Sequence, residues 1–462
     1  MRVNKKVKKR DYVATPGFVD AMSGGDNVTR LSFVILGLGS LVYKQTGRFL
    51  VFLLIEIAYL YYMAATGVRS LIDLSTLGTK EQVEVYNEAK GIYEYIGGDN
   101  SMLCLLFGVV TILVTAAFVC FMMGSVRCAY SAKLRAQEGR RQPTLNEDIA
   151  SLFDGNLHKL FLTWPIAGVL MFTIVPLVFM ILIAFTSFDS THQPPGNLFD
   201  WVGLQNFQNM LSGNGLLAKT FWPVLAWTII WAIFATFTNY ILGIILALLI
   251  NRNGTRLKGL WRFNFVLSVA MPAFVSLLTM RTIFANNGPF NILLRSVGLL
   301  GTDTITYFGD PLLAKIMVII INIWVGVPFT ILTTTGILKN IPAELYEAAN
   351  VDGAGPVRTF VQITMPYILF VTTPYLITTF VGNINNFNVI FLLTGGGPDT
   401  LEYYNAGKTD LLVTWLYKLT IQNKDYNLGS VISILVFIVM ATTSLLAYRF
   451  TGAYNNEEEF KK

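Results

Sequence analysis

Long runs of apolar residues, each about the length of a membrane-spanning helix, dominate the pattern along the chain. A hydrocarbon core about 30 Å thick needs about 20 apolar residues in a helix. Runs near that length lie at about 49–66, 101–124, 160–187, 221–250, 263–285, 313–338, 367–394 and 429–448. The pattern therefore predicts an all-α integral membrane protein with about eight transmembrane helices.

A shorter apolar run, from Leu31 to Tyr43, precedes the first predicted span. Its length of about 13 residues is too short for an unaided crossing, and Lys44 and Arg48 follow it. We expect an interfacial or re-entrant segment. A signal peptide is a poor fit because no small-residue cleavage site follows the run, so the N-terminus is expected to stay attached.

The composition indicates a protein whose surface meets lipid. Of the 462 residues, 53% are hydrophobic and 13% are charged, whereas an ordinary soluble domain carries about 25% charged residues. This excludes a soluble enzyme. Three cysteines, two of them in one apolar run, do not indicate a disulfide framework. His158 and His192 are the only histidines, so neither a metal site nor a haem pair is expected.

The distribution of lysine and arginine predicts the orientation, since basic residues are retained on the cytoplasmic side. Segments 1–30, 125–159, 251–262, 339–366 and 449–462 hold 22 of them, and the loops on the opposite side hold 8. Both termini are therefore predicted to be cytoplasmic. The formal charge of +6 does not require a nucleic acid, because anionic lipid headgroups would attract five N-terminal cations: Lys5, Lys6, Lys8, Lys9 and Arg10.

The chain offers no energy source or catalytic group of its own. Its loops are too short for a catalytic domain, and Glu56, Arg281 and Lys315 are too scattered to form the relay of buried acids that ion coupling needs. Residues 407–409 match the end of a phosphate-binding loop, but Glu402 occupies the position of its first glycine. We therefore predict neither catalytic residues nor ATP hydrolysis by this chain.

The predicted cytoplasmic segment 339–366 has the pattern of a helix, a turn and a second helix. Its capping, turn and helix-opening residues occur in the required order: Asn340, Pro342, Gly353, Gly355 and Pro356. Ala348 and Ala349 would let a partner backbone approach closely, and Glu347 and Asp352 offer carboxylates. From these residues alone, a docking element and a plain amphipathic helix on the headgroups are equally acceptable.

A specific pattern within this segment resembles the EAA loop of binding-protein-dependent ABC importer permeases: Glu347, Ala348, Ala349, Gly353, Ile363 and Pro366. The resemblance extends over most of residues 160–450 and is closest to MalF-type membrane subunits of maltose and maltodextrin importers. Further stretches that carry it are 202–207 (VGLQNF), 324–328 (WVGVP), 383–387 (NINNF) and 394–398 (TGGGP).

The resemblance implies a type I ABC importer permease fold in the bacterial plasma membrane. Its implied parts are 1–48, a cytoplasmic N-terminus with the interfacial segment; 49–159, two transmembrane helices and a cytoplasmic loop; 160–450, the core permease domain; and 451–462, a cytoplasmic tail. The implied partners are a second, MalG-type permease, two cytoplasmic ATPases that bind ATP and Mg, and an extracytoplasmic sugar-binding protein. The chain itself would bind no cofactor. Glu347, Ala348, Ala349, Asp352 and Gly353 would couple it to the ATPases.

Amide, hydroxyl and aromatic side chains in the sixth and seventh spans suit a sugar, which presents hydroxyls and apolar C–H faces. Such amides also bond neighbouring helices, and that explanation stays open for each of them. The resemblance assigns six positions to the sugar pocket: Asn322, Gly326, Thr379, Gly382, Asn383 and Asn386. Asn385 is a weaker candidate because it lies on a different helix face. Trp324 is either a sugar platform or a packing residue.

Three departures from the maltose permease leave the sugar open. Val269, Ala273 and Phe329 stand where that permease has hydroxyl-bearing side chains, and segment 187–220 is too short for the large external domain of the enteric type. The expected function is that of a permease subunit for maltodextrin-like oligosaccharides. The alternative is an ion-coupled secondary sugar transporter, which would transport sugar alone.

Overall fold

The computed structural model describes residues 16–213, 215–252 and 254–449 and divides into two compact units, Met1–Trp201 and Val202–Lys462. The five N-terminal cations and the predicted tail 451–462 lie outside the described residues. The boundary between the units falls at Trp201, and the four parts proposed from the sequence stay predictions.

The regular elements that the structure describes in the first unit are helices and one β-hairpin. Its helices are α1 (Phe18–Gly24), α2 (Asn27–Leu31), α3 (Leu38–Val42), α4 (Thr46–Tyr62), α5 (Val68–Thr76), α6 (Ser101–Gln137), α7 (Leu145–Leu152), α8 (Leu157–Val169) and α9 (Val175–Ile183). π-helical turns at Met63–Gly67 and Leu170–Ile174 join α4 to α5 and α8 to α9. Strands β1 (Val83–Asn87) and β2 (Ile92–Ile96) pair antiparallel, with Val83 opposite Ile96.

The second unit is helical throughout its described regular elements. Its helices are α10 (Gln205–Leu211), α11 (Leu216–Asn251), α12 (Lys258–Ala270), α13 (Ala273–Ile283), α14 (Pro289–Ser296), α15 (Pro311–Asn340), α16 (Ala343–Val351), α17 (Pro356–Thr359), α18 (Met365–Ile384), α19 (Phe387–Leu393), α20 (Leu412–Tyr417) and α21 (Tyr426–Arg449). π-helical turns lie at Phe360–Thr364 and Lys418–Gln422.

Within residues 16–213, 215–252 and 254–449, seven helical segments are long and apolar enough to span a membrane, and a bent helix pair would make eight. The seven are Thr46–Thr76, Ser101–Gln137, Leu157–Ile183, Leu216–Asn251, Pro311–Asn340, Pro356–Ile384 and Tyr426–Arg449. The prediction of an all-α membrane protein with about eight spans is confirmed. The side on which the termini lie stays a prediction.

The predicted fifth span, 263–285, is not one helix. α12 and α13 meet at an angle of 92°, with Met271 and Pro272 between them. Proline has no N–H to donate and disfavours helical backbone in the residue before it, and Met271 is extended, with ψ 131°. The apolar pattern alone did not reveal this break, although Pro272 is visible in it.

The predicted seventh span, 367–394, also ends earlier than expected. α18 stops at Ile384, and Asn386 begins the separate helix α19 by accepting a hydrogen bond from the Val389 N–H through Oδ1, at 3.3 Å. Asparagine is a preferred N-cap because its side-chain oxygen satisfies a free N–H of the first helical turn. The break places Asn385 and Asn386 between the two helices, directly after the last turn of α18, which contains Asn383.

The short apolar run Leu31–Tyr43 forms no spanning helix. It contains a turn between α2 and α3, where the Leu36 N–H donates to Glu56 of α4 at 2.9 Å and the Gly37 N–H donates to Ser125 of α6 at 2.8 Å. Glu56 and Ser125 lie well inside their spanning helices. Non-helical backbone at membrane depth is tolerated where protein groups bond it. Whether the segment is interfacial or re-entrant stays a prediction.

The loop between α19 and α21 contains a buried ion pair. Asp410 Oδ2 accepts hydrogen bonds from Lys418 Nζ and from the Gly407 N–H, both at 2.7 Å. Burial raises the pKa of Asp410, although the Lys418 ammonium acts in the opposite direction. Lys408 pairs with Glu402 at 2.6 Å. Helix α20 begins only at Leu412, and the expectation that this chain does not bind ATP stays a prediction.

Candidate functional site

Three helices of the second unit bring most of the predicted sugar-site residues together. α11 packs against both α15 and α18, and α15 also contacts α18. The predicted residues lie on α15, on α18 and in the short connection to α19. α11 supplies polar partners that the sequence-based prediction did not include.

Asn383 and Asn386 form a continuous polar contact with α11. Asn383 Nδ2 donates to Thr236 Oγ1 at 2.9 Å, and Asn386 Nδ2 donates to Asn383 Oδ1 at 3.2 Å. The bond to Thr236 joins two helices, as expected if Asn383 serves packing between neighbouring helices. An amide group can make about four hydrogen bonds, so both side chains retain capacity for a ligand. Asn385 ends α18 as its C-cap and is exposed, away from this contact.

Asn322 and Gly326 occupy one face of α15, since residues four apart are neighbours on a helix. Asn322 is 6% exposed, and its Nδ2 is a buried donor without a partner. At Gly326 a Cβ atom would lie 2.3 Å from Asn239 Nδ2 of α11. The absence of a side chain at Gly326 therefore creates the space that the Asn239 amide occupies. Asn239 Oδ1 is also buried without a partner.

Thr379 and Gly382 lie one turn apart on α18 and are less enclosed. Thr379 is half-buried, whereas Gly382 is exposed, with open space where a Cβ would stand. Tyr375, one turn before Thr379, contacts Phe329 of α15 with ring centroids 6.1 Å apart. This aromatic pair places Tyr375 beside the predicted site.

A cavity of about 370 Å³ lies where α12 and α13 meet, against α15. All three departures from the maltose permease, Val269, Ala273 and Phe329, line it together with Trp324. Trp324 is 65% exposed, so it does not pack into the core of this chain. Ser268 and Ser276 add hydroxyls, and the lining in the described chain contains no charged side chain. Such a mixture suits a neutral ligand with polar groups and an apolar face.

The predicted coupling segment forms an exposed projection. α16 begins after Pro342 and ends at Val351, and Gly353 then adopts φ +71°, a conformation that glycine tolerates readily. Asn340 ends α15 and does not cap α16, so that detail of the prediction was wrong. Pro356 opens α17, as predicted.

The surface of this projection is partly apolar. Glu347, Ala348, Asp352 and Gly353 are exposed, and Val351 is 88% exposed. Ala349 is buried within the chain, so of the two alanines only Ala348 is accessible to a partner. Tyr346 of α16 shares a hydrogen bond with Thr364 at 3.0 Å, which ties the projection to the start of α18.

Comparisons with known proteins identify the family. Residues 239–456 match the family model of the binding-protein-dependent transport system inner membrane component. The maltodextrin transport system permease protein MdxF of Bacillus subtilis (strain 168) is 33% identical over 433 residues, which cover 92% of this chain and 95% of MdxF. The chain belongs to this family of ABC importer permeases. It is thus a multi-pass, membrane-spanning permease subunit, as the sequence predicted.

Two further comparisons extend this result. The galactooligosaccharides transport system permease protein GanP of Bacillus subtilis (strain 168) is 32% identical over 439 residues, covering 93% of this chain and 99% of GanP. A crystal structure of a bacterial ABC transporter involved in import of the acidic polysaccharide alginate superposes with a TM-score of 0.52 at 22% identity, covering 66% of this chain and 97% of that one. This similarity confirms the permease fold. None of these comparisons favours the ion-coupled alternative.

Three residues beside the site were missed by the sequence-based prediction: Thr236, Asn239 and Tyr375. A signal for one of them was present, because Asn239 is the only amide side chain in the predicted span 221–250. An amide in the hydrocarbon core is costly unless it is bonded, which marks it as a candidate. Tyr375 gave no comparable signal among the many aromatic residues of the spans.

Proposed function

We propose that this permease subunit forms half of the translocation pathway for maltodextrin-like oligosaccharides in an ABC importer of the bacterial plasma membrane. The observation that carries the proposal is the uncharged cavity at the break between α12 and α13, with Trp324 and Phe329 in its wall. The amides of Asn322, Asn383 and Asn386 supply hydrogen-bonding groups on neighbouring helices. The relatives' transport of maltodextrin and galactooligosaccharides supports a neutral oligosaccharide as substrate.

The proposed complex contains a second, MalG-type permease, two cytoplasmic ATPases and an extracytoplasmic sugar-binding protein. The chain itself is proposed to be non-catalytic, with ATP and Mg bound by the ATPases. The exposed projection at α16 supports the assignment of ATP hydrolysis to partner subunits, because Glu347, Ala348 and Gly353 are accessible to a partner. Tyr346 connects the projection to the start of α18. Movement of a partner bound to α16 would therefore be transmitted to the spanning helix α18.

Reconstitution tests this proposal. The complex, copurified from its native membrane, is placed in vesicles, and uptake of labelled maltotriose and of a galactotriose is measured with and without ATP. We expect ATP-dependent uptake that favours the α-glucan. Sugar uptake by the purified single chain without any ATPase would contradict the proposal, and preference for the galactoside would correct the substrate.

A change at Glu347 tests the coupling assignment separately. Glu347→Ala should reduce ATPase retention during copurification and lower uptake, while the chain remains in the membrane. Glu344→Ala is the matched control, because Glu344 is also an exposed acid of α16 but lies outside the resemblance to the EAA loop. If Glu347→Ala leaves assembly and uptake unchanged, the coupling role of this residue is wrong.

A further inference from the structure

Two adjoining apolar cavities form one groove that begins at the end of α11 predicted to be cytoplasmic. The outer cavity, about 620 Å³, is lined chiefly by Leu246, Leu249, Ile250, Trp261 and Phe265, with Arg252 at its edge. The inner cavity, about 340 Å³, shares Leu246 and Phe265 and continues to Leu242 and Val327. Its far end reaches Trp324, where it adjoins the cavity at the α12–α13 break. At 1.5 Å per residue, the groove follows α11 for about 12 Å from Ile250 to Leu242.

A cluster of cations stands at one end of this groove. Four lysine and arginine residues fall within 252–262, whereas residues 201–302 contain no aspartate or glutamate. The four are Arg252, Arg256, Lys258 and Arg262. Like charges this close repel one another, so the cluster would be stabilised by an anion that this stretch of sequence does not supply.

The contacts of these cations leave their charges unneutralised. Arg262 donates to Asn251 Oδ1 at 2.5 Å and Lys258 donates to the Asn251 carbonyl at 3.2 Å, both neutral acceptors. Arg262 Nε is buried without a hydrogen-bond partner. Within the described residues, none of the four forms an ion pair. The cluster is therefore available to an external anion.

We propose that this groove binds one anionic phospholipid, whose phosphate lies among the four cations and whose acyl chain follows the apolar wall along α11. Basic pockets between spanning helices at a membrane surface favour anionic headgroups. Trp261 is 50% exposed at the same end, as is typical of tryptophan at a membrane interface. A lipid satisfies both features at once, because its charge is confined to one end and its remaining length is apolar.

Lipid retention by the full-length chain tests the headgroup site. The chain is purified into nanodiscs of phosphatidylcholine with a minority of phosphatidylglycerol, and lipid that stays bound after transfer to detergent is measured by mass spectrometry. We expect enrichment of phosphatidylglycerol. A triple variant in which Gln replaces Arg252, Arg256 and Lys258 should show less enrichment of phosphatidylglycerol. The expected reduction is about fivefold for each cation that contributes fully.

A matched triple variant controls for loss of general surface charge. Lys133→Gln, Arg140→Gln and Arg141→Gln remove three cations from a segment predicted to lie on the same side of the membrane, outside the groove. This variant should retain the enrichment. Equal losses in the two triple variants, or equal retention of phosphatidylcholine and phosphatidylglycerol by the unmodified chain, would overturn the proposal.

A change in the apolar part distinguishes a lipid from a free phosphate. Leu242→Trp narrows the inner cavity and should weaken retention of long-chain phosphatidylglycerol, whereas the neighbouring Ile241→Trp, outside the lining, should not. Inorganic phosphate should fail to displace the lipid. Displacement by inorganic phosphate would show an anion site without a lipid. Loss of the lipid on assembly with the second permease would show that another protein covers the groove, and either result contradicts the proposal.

Discussion

Among the described residues, the buried polar atoms of the spanning helices are bonded within the chain in the first unit, whereas several in the second unit are not. In the first unit, Glu56 and Ser125 accept bonds from the turn between α2 and α3, and Tyr62 shares a hydrogen bond with Thr111 at 2.8 Å. In the second unit, Trp231 Nε1, Asn239 Oδ1 and Asn322 Nδ2 have no partner. All three lie on α11 or α15.

The difference separates polar groups that hold the fold from polar groups that are available to a ligand. A buried donor or acceptor left unpaired costs about 1–3 kcal/mol, so unpaired groups are expected where function requires them. In the described residues, the spanning helices of the first unit contain none of these buried unpaired atoms. The first unit's bonded polar side chains hold its helices together, whereas Asn239 of α11 and Asn322 of α15 are candidates for the proposed pathway.

The largest effect is expected from Asn383→Leu. This change removes the bonds to Thr236 and Asn386 and should lower oligosaccharide uptake at least about tenfold, since buried partners are left unpaired. Uptake by the reconstituted complex is the measurement. Asn385→Leu, at the exposed C-cap, is the control. If both variants transport normally, Asn383 is not part of the pathway.

A smaller effect is expected from Gly326→Ala. Its new Cβ would stand 2.3 Å from Asn239 Nδ2, so the amide must move. Uptake should fall by about three- to tenfold, and the apparent melting temperature of the purified chain should also fall. Gly336→Ala, on the same helix with open space around the Cβ position, should have little effect. Adding Asn239→Ala to Gly326→Ala should relieve the clash. Failure of that double variant to restore the apparent melting temperature would show that Asn239 is not the group displaced.

Glu56→Leu should affect stability more than transport. The Leu36 N–H would lose its acceptor, which costs about 1–3 kcal/mol, so the apparent melting temperature of the purified chain should fall. Glu56→Gln keeps an acceptor oxygen and should largely prevent the loss. Sugar affinity should stay within about twofold for both variants. A large change in sugar affinity with unchanged stability would contradict the structural role assigned to Glu56 and to the bonded polar side chains of the first unit.

The smallest effect is expected from Ala273→Ser, which adds a hydroxyl to the cavity at the α12–α13 break. One additional hydrogen bond contributes about 0.5–1.5 kcal/mol, so the apparent affinity for an oligosaccharide should increase about two- to tenfold. Ala285→Ser, outside this lining, serves as the control in the same uptake competition. Equal responses of the two variants would exclude Ala273 from the substrate path.

The sequence predicted the spans well because their signal is local and strong. About 20 apolar residues in succession are needed whatever their tertiary contacts, and seven spans were found within continuous helices. The break at Pro272 was missed because hydropathy carries no information on backbone direction. The early end of α18 was missed because Asn386 acts as an N-cap, which depends on only a few atoms.

The candidate site was predictable only in part. Asn383 and Asn386 were assigned to the site by the resemblance, and their spacing of three residues set them apart from Asn385. The structure does place these two side chains in contact. Asn239 could not be placed without knowing which helix passes Gly326. Similarly, the exposure of Trp324 and the burial of Ala349 depend on tertiary packing and not on local pattern.

The sharp bend between α12 and α13 also bears on how the protein enters the membrane. Each arm, at 13 and 11 residues, is shorter than the about 20 residues that partition as an independent helix. By contrast, the flanking helices α11 and α15 have 36 and 30 residues. During biosynthesis, therefore, the flanking helices can insert into the membrane independently. The bent pair α12–α13 must then adopt its final conformation by packing against them.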